Sequence, residues 1–248
     1  LFRDAAAGWS FIRERPGLFG LMAYFAIIFF FVSMSNVLMA PMMLAFASFT
    51  VIGSIISCAA IGMLVGSLVM GAWGGPKNRV YGVFGFALLQ SLSFSLSGLR
   101  PNALLVGVAS VIESASLPII HGCNRVIWQV KTPPEIQGRV FATSSMILRS
   151  TGPLGFIIAG PLADKVFEPL LVVNGPLAGS LGKVVGVGPG RGIGLMMVVM
   201  GLIMTLVTIA AFMNSHIRGI QQELPDCVPD EIIATDAKVS ENTVVAHA

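Results

Sequence analysis

The stretch LLVGVASVIESASLPIIHGCNRVIWQVKTPPEIQGR, from Leu104 to Arg139, decides how this chain is read. Its first two-thirds is apolar enough to cross a bilayer as a helix, yet Glu113 stands near its middle. Its last third is basic and interrupted by Pro133 and Pro134, and it reads as a cytoplasmic loop. A carboxylate inside hydrocarbon costs roughly 2.5–3.5 kcal/mol on insertion scales, so such a group normally faces a polar cavity or a partner. Glu113 is the one acid deep inside any apolar run of the sequence, which raises the question of a transport pathway around it.

Composition agrees with a membrane setting. Of 248 residues, 55% are hydrophobic and 11% charged, and the mean hydropathy is +0.85. A soluble domain carries about a quarter of its residues as charges. Here charge is confined to gaps between apolar runs of about 20 residues, the length that crosses roughly 30 Å of hydrocarbon as a helix. The expected fold is therefore an all-α membrane protein with several transmembrane helices. A net charge of +3 and a pI near 9.0 do not indicate nucleic-acid binding, because the basic residues sit at the ends of the apolar runs.

Cys58, Cys123 and Cys227 form no CxxC pair, and His121, His216 and His247 are far apart, so no disulfide framework, metal site or cofactor is expected. No HExxH, GxSxG or paired intramembrane acids occur, so the chain does not read as an enzyme. The opening residue is Leu1 and the first segment is too polar for a signal peptide, which suggests part of something longer.

Residues 1–16 place Leu1, Ala5, Trp9 and Ile12 on one helical face and read as a cytoplasmic interfacial helix. A six-helix domain over 17–213 follows, with spans near 18–38 (continuing to Pro41), 51–73, 80–99, 104–128, 140–163 and 193–212. Ser33, Ser35 and Asn36, just before Pro41, mark either a kinked helix end or a cavity wall. Gly62/Gly66 and Ser67/Gly71 give the second span a small-residue face for close helix contact. GGPKNR, from Gly74 to Arg79, reads as a tight basic turn. In the third span SLSFSLS cannot hold all its serines on one face, so some are expected to bond to their own backbone.

The fifth span is expected to end at Asp164, with a long Gly- and Pro-rich loop running to Arg191. Within it, GVGPGRGIG is no dinucleotide fingerprint, since it enters a membrane span rather than following a strand. Residues 214–248, polar and mostly acidic, read as a disordered cytoplasmic tail.

Six spans put both ends of the chain on one side. That side holds Arg3, Arg13, Arg15, Lys77, Arg79, Arg125, Lys131, Arg139 and Arg218, nine in all, against Arg100, Lys165, Lys183 and Arg191 on the other. Nine against four places both ends in the cytoplasm, in an inner (plasma) membrane.

This arrangement, with AGWSFIRERPGLFGL (Ala7 to Leu21), WGGPKNR (Trp73 to Arg79), PPEIQGRVFA (Pro133 to Ala142), PLGFIIAGPLAD (Pro153 to Asp164), VFEPLL (Val166 to Leu171) and GPGRGI (Gly188 to Ile193), resembles the C-terminal half of a major facilitator transporter. The likeness is to bacterial drug:proton antiporters of the macrolide and siderophore exporter type. It implies a six-helix half-bundle, an N-terminal six-helix half as partner, and a substrate site near the midplane between the halves. In that layout the first and fourth helices of the half line the cavity, and here they carry Ser33, Ser35, Asn36 and Glu113. WGGPKNR stands where the family has a cytoplasmic gating motif, but lacks the acid of the fuller form.

The resemblance implies proton-coupled efflux of an amphipathic small molecule such as a drug, siderophore or secondary metabolite, with membrane lipids and protons as further partners. The candidate pathway residues are Glu113, Asn36, Ser33 and Arg149. Glu113 reads either as a proton or cation carrier or as a structural partner of another helix. Arg149 reads either as snorkelling to the cytoplasmic interface or as a cavity-facing cation that pairs with Glu113 or an anionic substrate. Lys77, Arg79, Arg125, Lys131, Gln137 and Arg139 are expected to set topology and contribute gating contacts. The alternative is a non-transporting anchor or docking module of a larger biosynthetic protein.

Overall fold

The structure, a computed structural model, describes residues 2–173, 175–223 and 227. It is helical, with six helices long and apolar enough to cross a membrane. In chain order these are α2 (Pro16–Leu44), α3 (Phe49–Trp73), α4 (Arg79–Leu99), α5 (Ala103–Lys131), α6 (Pro134–Leu162) and α9 (Arg191–Met213). A short α1 (Phe2–Arg13) precedes them. After α6 a π-helical turn (Ala163–Phe167) leads into α7 (Glu168–Leu170), and α8 (Gly182–Val185) precedes α9. Two short helices, α10 (Ser215–Arg218) and α11 (Ile220–Glu223), close the described chain.

The helix boundaries follow from local chemistry. Pro16 opens α2 and Pro134 opens α6, each in the first turn, where the missing N–H has no partner to lose. Asn78 caps α4 and Asn102 caps α5, each accepting backbone N–H bonds from two residues at the helix start. Gly74, at φ 69°, ends α3 in the left-handed conformation that glycine adopts without steric cost. Arg79 Nη1 donates back to the Gly74 carbonyl, so GGPKNR is the tight turn expected.

Three expectations are corrected. The stretch PPEIQGR is not a loop: PEIQGR forms the first turns of α6, because Pro134 can begin a helix and Glu135 favours its positive end. Gln137 Nε2 then donates to the carbonyls of Gln129 (2.9 Å) and Thr132 (3.0 Å), covering the end of α5. The fifth span does not stop at Asp164. It runs past Pro161 and through the π-helical turn to Leu170. The tail is not irregular from 214: α10 and α11 bury Ile217 and Ile220 against the bundle. The remainder of the expected tail, 224–226 and 228–248, lies outside the described residues, as does Leu1.

Packing is closest where side chains are small. Gly98 of α4 meets Gly194 of α9, and a Cβ on it would come within 2.3 Å of the Gly194 carbonyl. Gly201 of α9 fits against Ser95 and Ser91 of α4, with Thr205 Oγ1 donating to Ser91 Oγ at 3.0 Å. Ser91, Ser95 and Ser97 also bond to carbonyls of their own helix, as the SLSFSLS pattern predicts. On α3, Gly62 and Gly66 lie against the backbone of Val111 and Ala115 of α5. Ser67 and Gly71 pack against nothing comparable: Ser67 is exposed, and a Cβ added to Gly71 would meet no atom within 4 Å.

The chain after α9 straps the end of the bundle where α2 begins and α5 finishes. Gly17 and Gly20 of α2 leave room for Ile220 and Ile217. Lys131, only 3% exposed, donates from Nζ to the Gln221 carbonyl at 3.0 Å, and the Cys227 N–H bonds the Val130 carbonyl at 2.8 Å.

Candidate functional site

Away from that strap, α2, α3 and α5 enclose a cavity of about 330 Å³. Helical spacing determines which side chains reach it. Ser110, Glu113 and Ser114 stand at i, i+3 and i+4 on α5 and line it together. From α2 come Ser35, Asn36, Met39, Ala40 and Met43, a face that repeats every three to four residues. Ile52, Ile55, Ile56 and Ala59 of α3 form the apolar wall. Glu113 is ten residues from the start of α5, about 15 Å along the axis at 1.5 Å per residue, which is near the middle of a hydrocarbon layer of about 30 Å.

The cavity thus joins Glu113 and Asn36, two residues 77 positions apart that sequence reasoning placed on one pathway. Glu113 is half-buried and Asn36 exposed toward the opening. Among the residues lining the cavity Glu113 is the sole ionisable group; its neighbours offer hydroxyls, one amide, thioethers and aliphatic carbon. A carboxylate in such surroundings can take up a proton or pair with a cation, and an amide and hydroxyls beside it can hydrogen-bond a polar group.

Two of the expected pathway residues fall elsewhere. Ser33 is buried against Gly152 and Gly155 of α6, and its hydroxyl donates to the Phe29 carbonyl at 2.8 Å. Arg149 is exposed on α6 and does not line the Glu113 cavity. Because α6 begins at Pro134, Arg149 lies fifteen residues along it, about 22 Å from its first residue.

Ser110 is the residue that sequence reasoning missed. It is buried, and its Oγ has no hydrogen-bond partner, unlike Ser116, which bonds back to Ile112 at 2.8 Å. Its i, i+3 spacing to Glu113 was the available signal.

The residues expected to set topology divide into two groups. Lys77, Arg125 and Arg139 are exposed around the cytoplasmic side of the expected orientation. Arg79, Lys131 and Gln137 are instead built into the fold through the bonds described above. At the other end of the bundle Arg191 is 5% exposed, and its Nη2 donates to the Gly98 carbonyl at 3.1 Å, covering the end of α4. Glu168 Oε1 accepts the Ile193 N–H at 3.3 Å, placing a carboxylate at the start of α9.

Over 168 residues, 66% of the chain, the sequence is 27% identical to macrolide efflux protein A of Streptococcus pyogenes, covering 42% of that protein. It is 27% identical over 157 residues to macrolide efflux protein A of Enterococcus faecalis, covering 62% of this chain and 49% of the relative. The chain therefore spans less than half the length of the curated relatives it matches. No family model matches the sequence, and no solved structure does. The chain is thus similar to bacterial macrolide efflux proteins over about two-thirds of its length, and its six apolar helices fit one half of a major-facilitator-type bundle.

Proposed function

We propose that this chain is half of an alternating-access carrier that exports an amphipathic, drug-like small molecule across the plasma membrane in exchange for protons. The observation that carries the reading is the convergence of Glu113, Asn36, Ser35 and Ser110 on one cavity at mid-membrane depth. A carboxylate in such a place alternates between a charged form, stabilised when water reaches the cavity, and a neutral form that tolerates apolar surroundings. Proton loading from one side and release to the other supply the drive; Asn36 and the serines orient the solute. The names of the relatives make a macrolide the first solute to try.

Arg149 supports a further part of this reading, a second six-helix body packed on α6. An exposed guanidinium on a membrane-spanning helix is costly beside lipid and is relieved by an opposing polar surface. Both ends of the chain are cytoplasmic in this scheme, with α1 lying at the interface, and a cysteine placed by Lys77→Cys should react with a charged maleimide only from that side.

The deciding experiment is Glu113→Gln in the intact polypeptide. Proton-coupled macrolide export should be abolished with expression unchanged; export at the original rate would falsify the coupling role.

A further inference from the structure

The α3–α5 pair is closed at one end only. Gly62 and Gly66 bring the helices together so tightly that a Cβ would stand 2.7 Å and 2.1 Å from the carbonyl oxygens of Val111 and Ala115. Toward the start of both helices no such contact holds them, and a groove of about 490 Å³ opens between Val51, Ile55 and Cys58 on one side and Leu104, Gly107 and Val111 on the other. The groove is apolar. Its one hydroxyl, Ser54, is occupied by the Val51 carbonyl at 2.7 Å.

This groove and the Glu113 cavity are neighbours. Ile55 lines both, and successive residues divide between them: Val51 and Ile112 face the groove, Ile52 and Glu113 the cavity. Ile55 is itself buried, 7% exposed. Across from it stands Gly107, where even an added Cβ would meet Ile55 Cγ1 at an unstrained 3.6 Å, so the isoleucine has free space on its groove side. The groove lies beside the outer half of the span, where a hydrated solute would find no hydrogen-bond partner and a lipid-dissolved one would lose none.

Resting on the carrier reading above, we propose that the α3–α5 groove is an apolar subsite that receives the membrane-dissolved part of the exported amphipath, and that Ile55 is the partition crossed to reach the Glu113 cavity. The occupant is an apolar moiety joined to a polar or basic group, because the groove offers the first half of that molecule a place and the cavity the second.

Cys58 lines the groove and is exposed, so the chain carries its own probe. In proteoliposomes of the intact polypeptide carrying Cys227→Ser, Cys58 should react with pyrenyl maleimide and resist a sulfonated maleimide, with Cys58→Ser giving the background. Erythromycin should slow the pyrenyl reaction severalfold. Equal reaction with the charged reagent, no reaction with either, or reaction that erythromycin leaves unchanged would each overturn the subsite. Ile55→Trp should keep the protection of Cys58 while lowering export severalfold. Wild-type export by Ile55→Trp would remove the partition. Failure of the subsite leaves macrolide export itself intact, whereas failure of the carrier reading appears as no export by the unaltered protein.

Discussion

The α4–α9 and α3–α5 pairs are both built on small residues, yet only the second leaves an apolar groove toward the starts of its helices. In α4–α9, glycine contacts at Gly98, Gly194 and Gly201 are followed along the seam by the Ser91–Thr205 hydrogen bond, so both dispersion and polar contacts hold it. In α3–α5 the close contacts are Gly62, Gly66 and, against Met70, Gly122, while toward the helix starts Val51, Ile55 and Leu104 line an open groove. Lipid is as apolar as these side chains, so no hydrophobic force closes the groove. Small residues spaced along an interface close it, while small residues confined to one end leave room for a groove at the other.

That contrast can be broken in order of expected effect. Gly66→Leu should be the most damaging, because the obstacle is the Ala115 backbone and cannot turn aside. Overpacking of this kind costs about 1–3 kcal/mol or more, and a thermal-unfolding scan in detergent should show a clear fall in Tm. Gly201→Ala comes next: its nearest obstacle is the Ser95 hydroxyl at 2.2 Å, which can rotate, but the Ser95 N at 2.6 Å cannot, so the loss should be smaller than for Gly66→Leu in the same scan. Thr205→Val removes one interhelical hydrogen bond within the membrane, worth about 0.6 kcal/mol on average, and should lower the midpoint slightly. Gly71→Ala should leave stability unchanged, because an added Cβ there meets no atom within 4 Å. A fall for Gly71→Ala as large as that for Gly66→Leu would show that α3 is packed along its whole length.

The number and order of the spans were legible because an apolar run of membrane length leaves few alternatives. So were the Gly62/Gly66 face and the GGPKNR turn, whose residues have strong local preferences. The start of α6 was not. Pro133 and Pro134 punctuate a sequence, but whether they end one helix or begin the next depends on Gln137 reaching back to Gln129 and Thr132. The joining of Glu113 with Asn36 was foreseeable only through the family layout. The split of Ser33 from Ser35 was not, since two positions on a helix turn a side chain by about 200° and the sequence does not say which face α6 covers. Ser110 escaped because a serine in an apolar helix is ordinarily satisfied by its own backbone, as Ser116 is.

The strap after α9 has a practical consequence for anyone handling this protein. Ile217 and Ile220 fill hollows left by Gly20 and Gly17, and the buried ammonium of Lys131 is met by the Gln221 carbonyl. A purification tag or fluorescent reporter joined directly behind Met213 would uncover two greasy notches and take that carbonyl away from the lysine. Fusions made beyond Cys227 keep that cover in place, and are the ones to choose for expression and assay.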